Sequence, residues 1–223
     1  MFTLVVPFHA DADRLRRVFE AAAEAEARGI GEILFCHNGP RFDPSIASML
    51  PPNGRLLHTD VKGIGAGYRI GIMEAKGAHV ILSASDLPFG FSDLESYRVA
   101  GLPPIAIGSK AHPRTELPGY SVLRRLMTTC FWLVRRTLLG PTPKDSQGTI
   151  LIETNLAKNI ASDVQADDYF FAIELITLCG RAGAVAVEVP VRYEPVPGPS
   201  SVRIVHDSIE MIRKTWALRR RLR

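Results

Sequence analysis

Four short segments of this 223-residue chain hold residue types whose spacing suits work on a phosphorylated ligand. The first is Val5-Val6-Pro7-Phe8-His9-Ala10-Asp11, an apolar run that passes into a loop ahead of a helical pattern. An acid at Asp11 can accept hydrogen bonds from a base or a ribose, or can complement the dipole of a helix start. The second is Lys62-Gly63-Ile64-Gly65-Ala66-Gly67, again before a helical pattern. Glycines allow close backbone approach, a helix start attracts an anion and a lysine adds charge, a combination suited to a diphosphate. The Gly-Lys-Ser/Thr ending of a P-loop is missing, which argues against a nucleoside triphosphatase. The third is Val80-Ile81-Leu82-Ser83-Ala84-Ser85-Asp86-Leu87-Pro88. Asp86 follows an apolar run at a place where a carboxylate can hold Mg²⁺ or Mn²⁺ against phosphate oxygens, or cap a turn. The fourth is Asp145-Ser146-Gln147-Gly148-Thr149, after the turn Pro141-Thr142-Pro143. Its carboxylate and amide can orient a sugar hydroxyl or an acceptor, or can serve turn chemistry.

These segments need a scaffold that brings them to one edge. Phe2 to Pro7, Glu32 to Cys36, Arg55 to His58, His79 to Ser83, Ile105 to Ser109 and Ala184 to Val191 read as strands. Asp11 to Arg28, Gly67 to Lys76, Tyr120 to Leu139, Phe170 to Cys179 and Val205 to Arg221 carry helical spacing. His37-Asn38-Gly39-Pro40 is a turn signal, and Glu194 to Ser201 reads as a loop. Strands separated by helices imply βαβ units: an α/β, Rossmann-like fold with a mostly parallel central sheet flanked by helices, in a single domain over residues 1–223. Residues 1–116 form the half expected to bind a nucleotide, and 117–223 the half expected to meet an acceptor. Right-handed crossovers place the strand C-terminal ends on a common edge, where ligands of such sheets bind. In the Tyr120 to Leu139 helix, Leu123, Leu126, Met127, Phe131 and Val134 share an apolar face. The pairs Arg124-Arg125 and Arg135-Arg136 stand eleven residues apart and share another. In the last helix Ile209, Ile212 and Trp216 align.

Composition bounds the rest. With 46% apolar and 22% charged residues, the chain is globular rather than disordered. Cys36, Cys130 and Cys179 are too scattered for a disulfide framework or a zinc knuckle, and read as buried thiols of a reducing cytoplasm. No signal peptide and no spanning segment is visible; the apolar run Leu126 to Val134 is about half of the roughly 20 residues a span needs. The net charge of +4 gathers in the tail, where Arg213, Lys214, Arg219, Arg220, Arg221 and Arg223 have no acid among them. Such a tail is a solvated terminus or a contact for anionic lipid, which places the chain in the cytoplasm or peripherally at the inner membrane face. No nucleic-acid partner is expected.

Taken in order, the four segments resemble the family-2 glycosyltransferases of GT-A fold, closest to the polyprenyl-phosphate (dolichol-phosphate) mannosyl- and glucosyltransferase branch. Val5-Val6-Pro7 resembles that family's opening strand, with Asp11 at its usual glutamate. Glu32 to Gly39 is similar to its second strand and Asp-Asp-Gly turn, and Lys62 to Gly71 to its Gly-x-Gly-x-Ala-Tyr-x-x-Gly segment. Ala84-Ser85-Asp86-Leu87 stands at its Asp-x-Asp-Leu, Gly108-Ser109-Lys110 at its Gly-Ser-Arg, and Arg124-Arg125 at its paired basic residues. Asp145-Ser146-Gln147 matches its Asp-Thr-Gln; Phe171 to Leu175 and Glu188-Val189-Pro190-Val191 match its Glu-Leu and Glu-Val-Pro-Ile signatures. Three departures stand out. Ala84 replaces the first metal-side aspartate, His37-Asn38 replaces a base-reading Asp-Asp, and Val196 and Ser201 fall near the places of an arginine and a Ser-Lys, with Arg203 the nearby cation.

The resemblance implies single-displacement, inverting transfer of a hexosyl unit from a nucleoside diphosphate sugar. The acceptor it implies is a polyprenyl phosphate, or else a small hydroxylated metabolite. Donor contacts then fall to Pro7, Phe8, Asp11, His37, Asn38, Lys62, Gly65 and Asp86. Asp86 is the metal residue, for Mg²⁺ or Mn²⁺, in a motif degenerate at Ala84. The catalytic set is Asp86, Asp145, Gln147 and Lys110, and the acceptor set Arg114, Arg124, Arg125 and Arg203. A hydroxyl acceptor needs a base, for which Asp145, Asp168 and Glu174 are candidates; Glu174 is equally a residue that anchors a loop. The alternative is a weakly active or inactive relative that binds a nucleotide sugar or serves as a partner subunit. A sugar-phosphate nucleotidyltransferase is disfavoured, because its glycine-rich loop would follow the first strand and Phe8 to Asp13 holds no glycine.

Overall fold

The computed structural model describes residues 1–9, 15–41, 43–115, 117, 122–193 and 204–223; the side chains of 44, 122–125 and 204–208 lie outside the description. Asp11, Arg203 and the 194–201 segment therefore lie outside the described residues. Seven strands form one sheet: β1 (Phe2–Phe8), β2 (Ile30–Asn38), β3 (Gly54–Thr59), β4 (His79–Leu82), β5 (Ile105–Ser109), β6 (Ile150–Glu153) and β7 (Val187–Pro190). Their spatial order is β3-β2-β1-β4-β6-β5-β7. β1 pairs in parallel with β2 and β4, β2 with β3, and β5 with β7, while β6 runs antiparallel to both β4 and β5. The sheet is thus parallel except at β6. That strand belongs to the 117–223 half, yet it is inserted between β4 and β5 of the other half.

Period-two alternation sorts the core. Phe2, Leu4, Val6 and Phe8 of β1 pack on one face with Leu15, Val18 and Tyr97, while Val5 joins Leu34, Ile72 and Phe171 on the other. Every residue of β1 is buried because helices cover both faces, the condition under which strands read as unbroken apolar runs. One face carries α1 (Arg16–Glu20), α2 (Ala22–Ala27) and α4 (Ser92–Val99). The other carries α3 (Ile64–Glu74), α6 (Thr154–Ala161) and α7 (Phe170–Arg181). Each fully buried Leu, Ile or Phe contributes about 1.5–3 kcal/mol.

Some expectations change. The helix read over Asp11 to Arg28 is two short helices that meet at Ala21, where no side chain caps the start of the second. α4, β6 and α6 had no counterpart in the sequence reading. Cys36 and Cys179 are buried, but Cys130 is exposed. The remaining helices, α5 (Val122–Leu139) and α8 (Ile204–Arg221), pack together. Ile209, Ile212 and Trp216 face outward at 65%, 43% and 47% exposure. The side of α8 turned to the protein carries Met211, buried Thr215 and Leu218; Met211, Leu218 and Leu222, just past the helix, pack with Phe131, Leu139, Phe170 and Ile173. On α5, Leu126 is likewise exposed. No helix among the described residues is long and apolar enough to cross a membrane.

Candidate functional site

The parallel strands end on one edge, and β6 starts there. Consequently the segments after β1, β3, β4 and β5 and the Asp145–Thr149 loop before β6 meet along a single row. Three cavities mark it. One of about 110 Å³ is lined by Tyr68, Ala84, Phe89, Gln147, Asp168 and Tyr169, among others. One of about 290 Å³ lies beyond Lys110 and Asp145, with His112, Thr115, Thr128 and Lys144. The largest, about 500 Å³, lies under α8 and holds Lys62, Asp168, Glu174, Lys214 and Arg221. Asp168 lines both the first and the third, so they adjoin. The smallest cavity is the one closest to the candidate chemistry, because it touches the Ala84 turn and Gln147 together.

Asp86 is exposed, between Ala84 and Pro88, which both line that cavity. Leu87, next to it, is buried at 2% exposure and holds φ at 42°, a conformation unusual for a leucine. Its N–H donates to the carbonyl of Ala84 at 3.1 Å, so the buried side chain pins a tight turn that leaves Asp86 outside. Burial, aided by the charges of Tyr169 and Asp86, pushes the Tyr68 phenol far above its usual range. Ala84 offers no side-chain ligand atom, and among the described residues no group of three His, Cys, Asp or Glu side chains is placed to hold a metal ion. A divalent cation here would have Asp86 as its protein carboxylate and would need phosphate oxygens to complete its shell.

The glycine-rich turn has a different local use. A Cβ on Gly63, where φ is 129°, would sit 2.2 Å from the carbonyl oxygen of Asp167, and one on Gly65 would sit 2.6 Å from Cβ of Phe171. The N–H of Ala66 donates to that same Asp167 carbonyl at 3.1 Å. The close approach these glycines permit is therefore taken up by the 165–168 loop, while exposed Lys62 stays at a cavity wall. The loop is held firmly. Arg69 donates to Asp167 Oδ1 at 2.5 Å and to the carbonyls of Val164 and Ala166 at 2.9 and 3.0 Å. Buried Glu174 accepts the N–H groups of Gln165 and Ala166 at 3.0 and 2.9 Å and pairs with Arg221. Glu174 thus anchors a loop. Asp168 accepts the N–H of Phe170 at 2.9 Å and pairs with Lys214.

Asp145 is 4% exposed, and both of its oxygens are engaged. Oδ2 accepts the N–H of Lys110 at 2.9 Å and Oδ1 that of Gln147 at 2.9 Å. Lys110 Nζ lies 3.5 Å from Asp145 Oδ2 and 5.5 Å above the Phe89 ring. Gln147 Nε2 donates to the Tyr169 carbonyl at 3.4 Å. Asp145 therefore organises the cleft, while Lys110 and Gln147 line it.

At the far end of the row, imidazoles gather. His37 and His58 approach Nδ1 to Nδ1 at 3.0 Å, His58 Nε2 donates to Asp60 Oδ1 at 3.2 Å, and His9 Nδ1 donates to the Asn38 carbonyl at 2.7 Å. Burial, then the charges of His58 and His9, lower the pKa of His37. Phe8, His37 and Asn38 are 4%, 1% and 4% exposed, and with Pro7 they pack into the sheet end and line none of the three cavities. Arg114 is exposed, its N–H donating to His112 Nδ1 at 3.2 Å. Arg124 and Arg125 lie on α5 with side chains outside the description.

Sequence reasoning missed two residues behind this site, Arg135 and the carboxylate use of Glu188. Arg135, half of the second arginine pair of that helix, is 1% exposed, whereas Arg136 is exposed over Trp132. Its position four residues after Phe131, on the packed side of α5, was the available signal.

Neither a family model nor a curated protein sequence matches this chain. Solved structures do. Glucosyl-3-phosphoglycerate synthase from Mycobacterium tuberculosis with UDP matches at TM-score 0.71 and 14% identity, covering 98% of this chain and 80% of that one. The same enzyme with Mn²⁺, UDP and glucosyl-3-phosphoglycerate matches at TM-score 0.69 and 14% identity, covering 98% and 78%. With Mn²⁺, UDP-glucose and phosphoglyceric acid it matches at TM-score 0.68, 14% identity and the same coverage. The chain has the GT-A fold of these glycosyltransferases.

Proposed function

We propose that this protein is a glycosyltransferase that moves a sugar from a nucleoside diphosphate sugar to an acceptor, with inversion. The observation that supports it is the row at the strand ends: Lys62 lines the largest cavity, Gln147 lines the smallest, which adjoins it at Asp168, Lys110 lines the remaining one, and exposed Asp86 stands between the cavity-lining Ala84 and Pro88. The fold around that row is shared with an enzyme solved with UDP-glucose and Mn²⁺. In this reading Lys62 faces the donor diphosphate, and Asp86 would hold a divalent cation that offsets its charge. Gln147 meets a sugar hydroxyl. The acceptor oxygen attacks the anomeric carbon while the bond from that carbon to the diphosphate oxygen breaks and the diphosphate keeps the electron pair. Cations must offset that charge as it grows, and with Ala84 in place of an acid ligand Lys62 and Lys110 carry more of the task. A phosphate acceptor is already an anion and gives up no proton; a hydroxyl acceptor must lose one to a base. Asp145, Glu174 and Asp168 all accept backbone N–H groups, and Asp168 also pairs with Lys214; of the three, Asp168 is the one whose carboxylate is not buried, and it stands at the cavity wall as the candidate for that role.

Two acceptor classes remain in the proposal. A small phosphorylated acid is favoured by the likeness to a synthase solved with phosphoglyceric acid. A polyprenyl phosphate at a membrane surface is favoured by the outward apolar row Ile209, Ile212 and Trp216 beside Arg213 and Arg220. Arg114, Arg124, Arg125 and Arg203 are the proposed acceptor contacts. The test is a panel of labelled UDP-, GDP- and dTDP-sugars with Mn²⁺ and either 3-phosphoglycerate or a polyprenyl phosphate in detergent. Label in a new aqueous product selects the first acceptor and label in the organic extract the second. Donor binding without turnover selects the alternative of an inactive relative, which Ala84 motivates.

A further inference from the structure

Arg135 occupies a position where an arginine is costly. It is 1% exposed, among the largest fully buried side chains of the protein. Arginine is almost never fully buried unless it is paired. Yet no carboxylate among the described residues lies within ion-pair distance of it. Nη1 donates to Thr142 Oγ1 at 2.9 Å, and Nη2 donates to the carbonyls of Pro143 and Lys144, each at 3.0 Å. Nε finds no acceptor among the described residues. Phe131 lies 5.3 Å beneath the guanidinium. Burial lowers its pKa to about 10, with the charges of Asp145 and Glu188 acting in the other direction, so it remains a cation at neutral pH.

The acceptors it holds are the peptides immediately before Asp145. From the opposite side, Glu188 on β7 accepts the N–H groups of Lys144 and Asp145 at 3.0 and 3.1 Å and the Ser109 hydroxyl at 2.5 Å. Residues 142–145 are thus fixed between a cation that takes their carbonyls and an anion that takes their amides. The next link is Asp145 itself, which sets the backbone of Lys110 and Gln147. A lysine could not repeat this, because its three donors share one atom and cannot span the hydroxyl and two carbonyls as a planar fork does.

We infer that Arg135 is a positioning residue for the transfer reaction, acting through the 142–147 loop on Gln147 and Lys110 without touching donor or acceptor. The inference rests on the proposed function. A misplacement of about 1 Å at a reacting group can cost on the order of a hundredfold in rate, which gives a remote clamp its leverage.

The test compares wild type with Arg135→Lys and Arg135→Ala in two ways. Amide exchange needs no substrate: in both variants the N–H groups of Lys110 and Gln147 should exchange at least about tenfold faster, with the α7 amides unchanged. In the transfer assay kcat should fall at least about tenfold with donor KM within about twofold, and methylguanidinium should restore part of the kcat of Arg135→Ala but not of Arg135→Lys. Unchanged exchange at Lys110 and Gln147 overturns the inference, as does faster exchange with kcat within about twofold of wild type. If Arg135→Ala does not fold, Arg135→Lys carries both readouts. If wild type transfers no sugar, the proposed function fails, and exchange alone judges the clamp.

Discussion

The carboxylate of Asp145 accepts the backbone N–H of Lys110 at 2.9 Å, and so ties the end of β5 to the loop that leads into β6. The antiparallel insertion of β6 makes this contact possible, because a reversed strand starts where its parallel neighbours end. The acid that resembles a catalytic residue in the sequence is the hinge pin of two cleft segments.

Removal of that pin should cost stability as well as activity. Asp145→Ala loses two charge-assisted hydrogen bonds from a buried site and should destabilise the fold by about 3 kcal/mol. Asp145→Asn retains one acceptor and should cost about half as much. Urea unfolding with an unchanged m-value measures both, and equal stability of the alanine variant would show that the contacts carry no weight.

Asp93 gives a pH dependence of definite sign. Burial raises its pKa from 3.8 to about 6, against the hydrogen bonds from Thr149 and Leu94. Between those values the folded protein binds a proton that the unfolded chain has released, so this group's contribution to stability falls as pH rises. The full shift corresponds to about 3 kcal/mol. Asp93→Asn should therefore be more stable than wild type at pH 7.5, with the difference shrinking to nothing below about pH 4. A difference that stays constant across that range would contradict the burial argument.

Two glycines should resist even an alanine. A Cβ on Gly148 would lie 1.8 Å from the carbonyl oxygen of Gly108, and one on Gly65 would lie 2.6 Å from Phe171 Cβ. Gly65→Ala should cost about 1–3 kcal/mol by overpacking. Gly148→Ala should cost more and displace Gln147, because its obstacle, also a fixed atom, is closer, at 1.8 Å against 2.6 Å. Thermal unfolding ranks the two variants, and the reverse order would count against this geometry.

The motif that has lost an acid can be refilled. Ala84→Asp places a second carboxylate beside the Asp86 turn and should raise Mn²⁺ affinity in the presence of UDP by at least about tenfold. Electron paramagnetic resonance reads free Mn²⁺ directly. Equal affinity in variant and wild type would mean that the Ala84 turn does not face the cation.

Much of the scaffold was legible. β1, β2 and β5 each hold a short apolar run (residues 4–6, 33–36 and 105–107), and burial on two faces is what such runs report. β6 escaped because Ile150–Glu153 passes straight into the helix at Thr154 with no turn residue between them. α4 escaped because Ser92–Val99 is largely polar and starts without a side-chain cap. The stripe Ile209, Ile212 and Trp216 was visible, but periodicity does not say which side a neighbour covers; α5 and α7 cover Met211, Thr215 and Leu218 instead. The order of the site segments could be read along the chain. The use of each polar group could not, since Asp145, Glu174 and Arg135 owe their roles to backbone groups that only the fold brings to them.

The most direct trial of the central claim is a chemical-shift map of the ¹⁵N-labelled protein titrated with UDP-glucose and Mn²⁺. Shifts should concentrate at Lys62, Ser85, Asp86 and Gln147, saturate together, and weaken in a Lys62→Ala variant. Saturable shifts elsewhere, or none at these four positions with any of the UDP-, GDP- or dTDP-sugars, would contradict a pyrophosphate-gripping role for this edge.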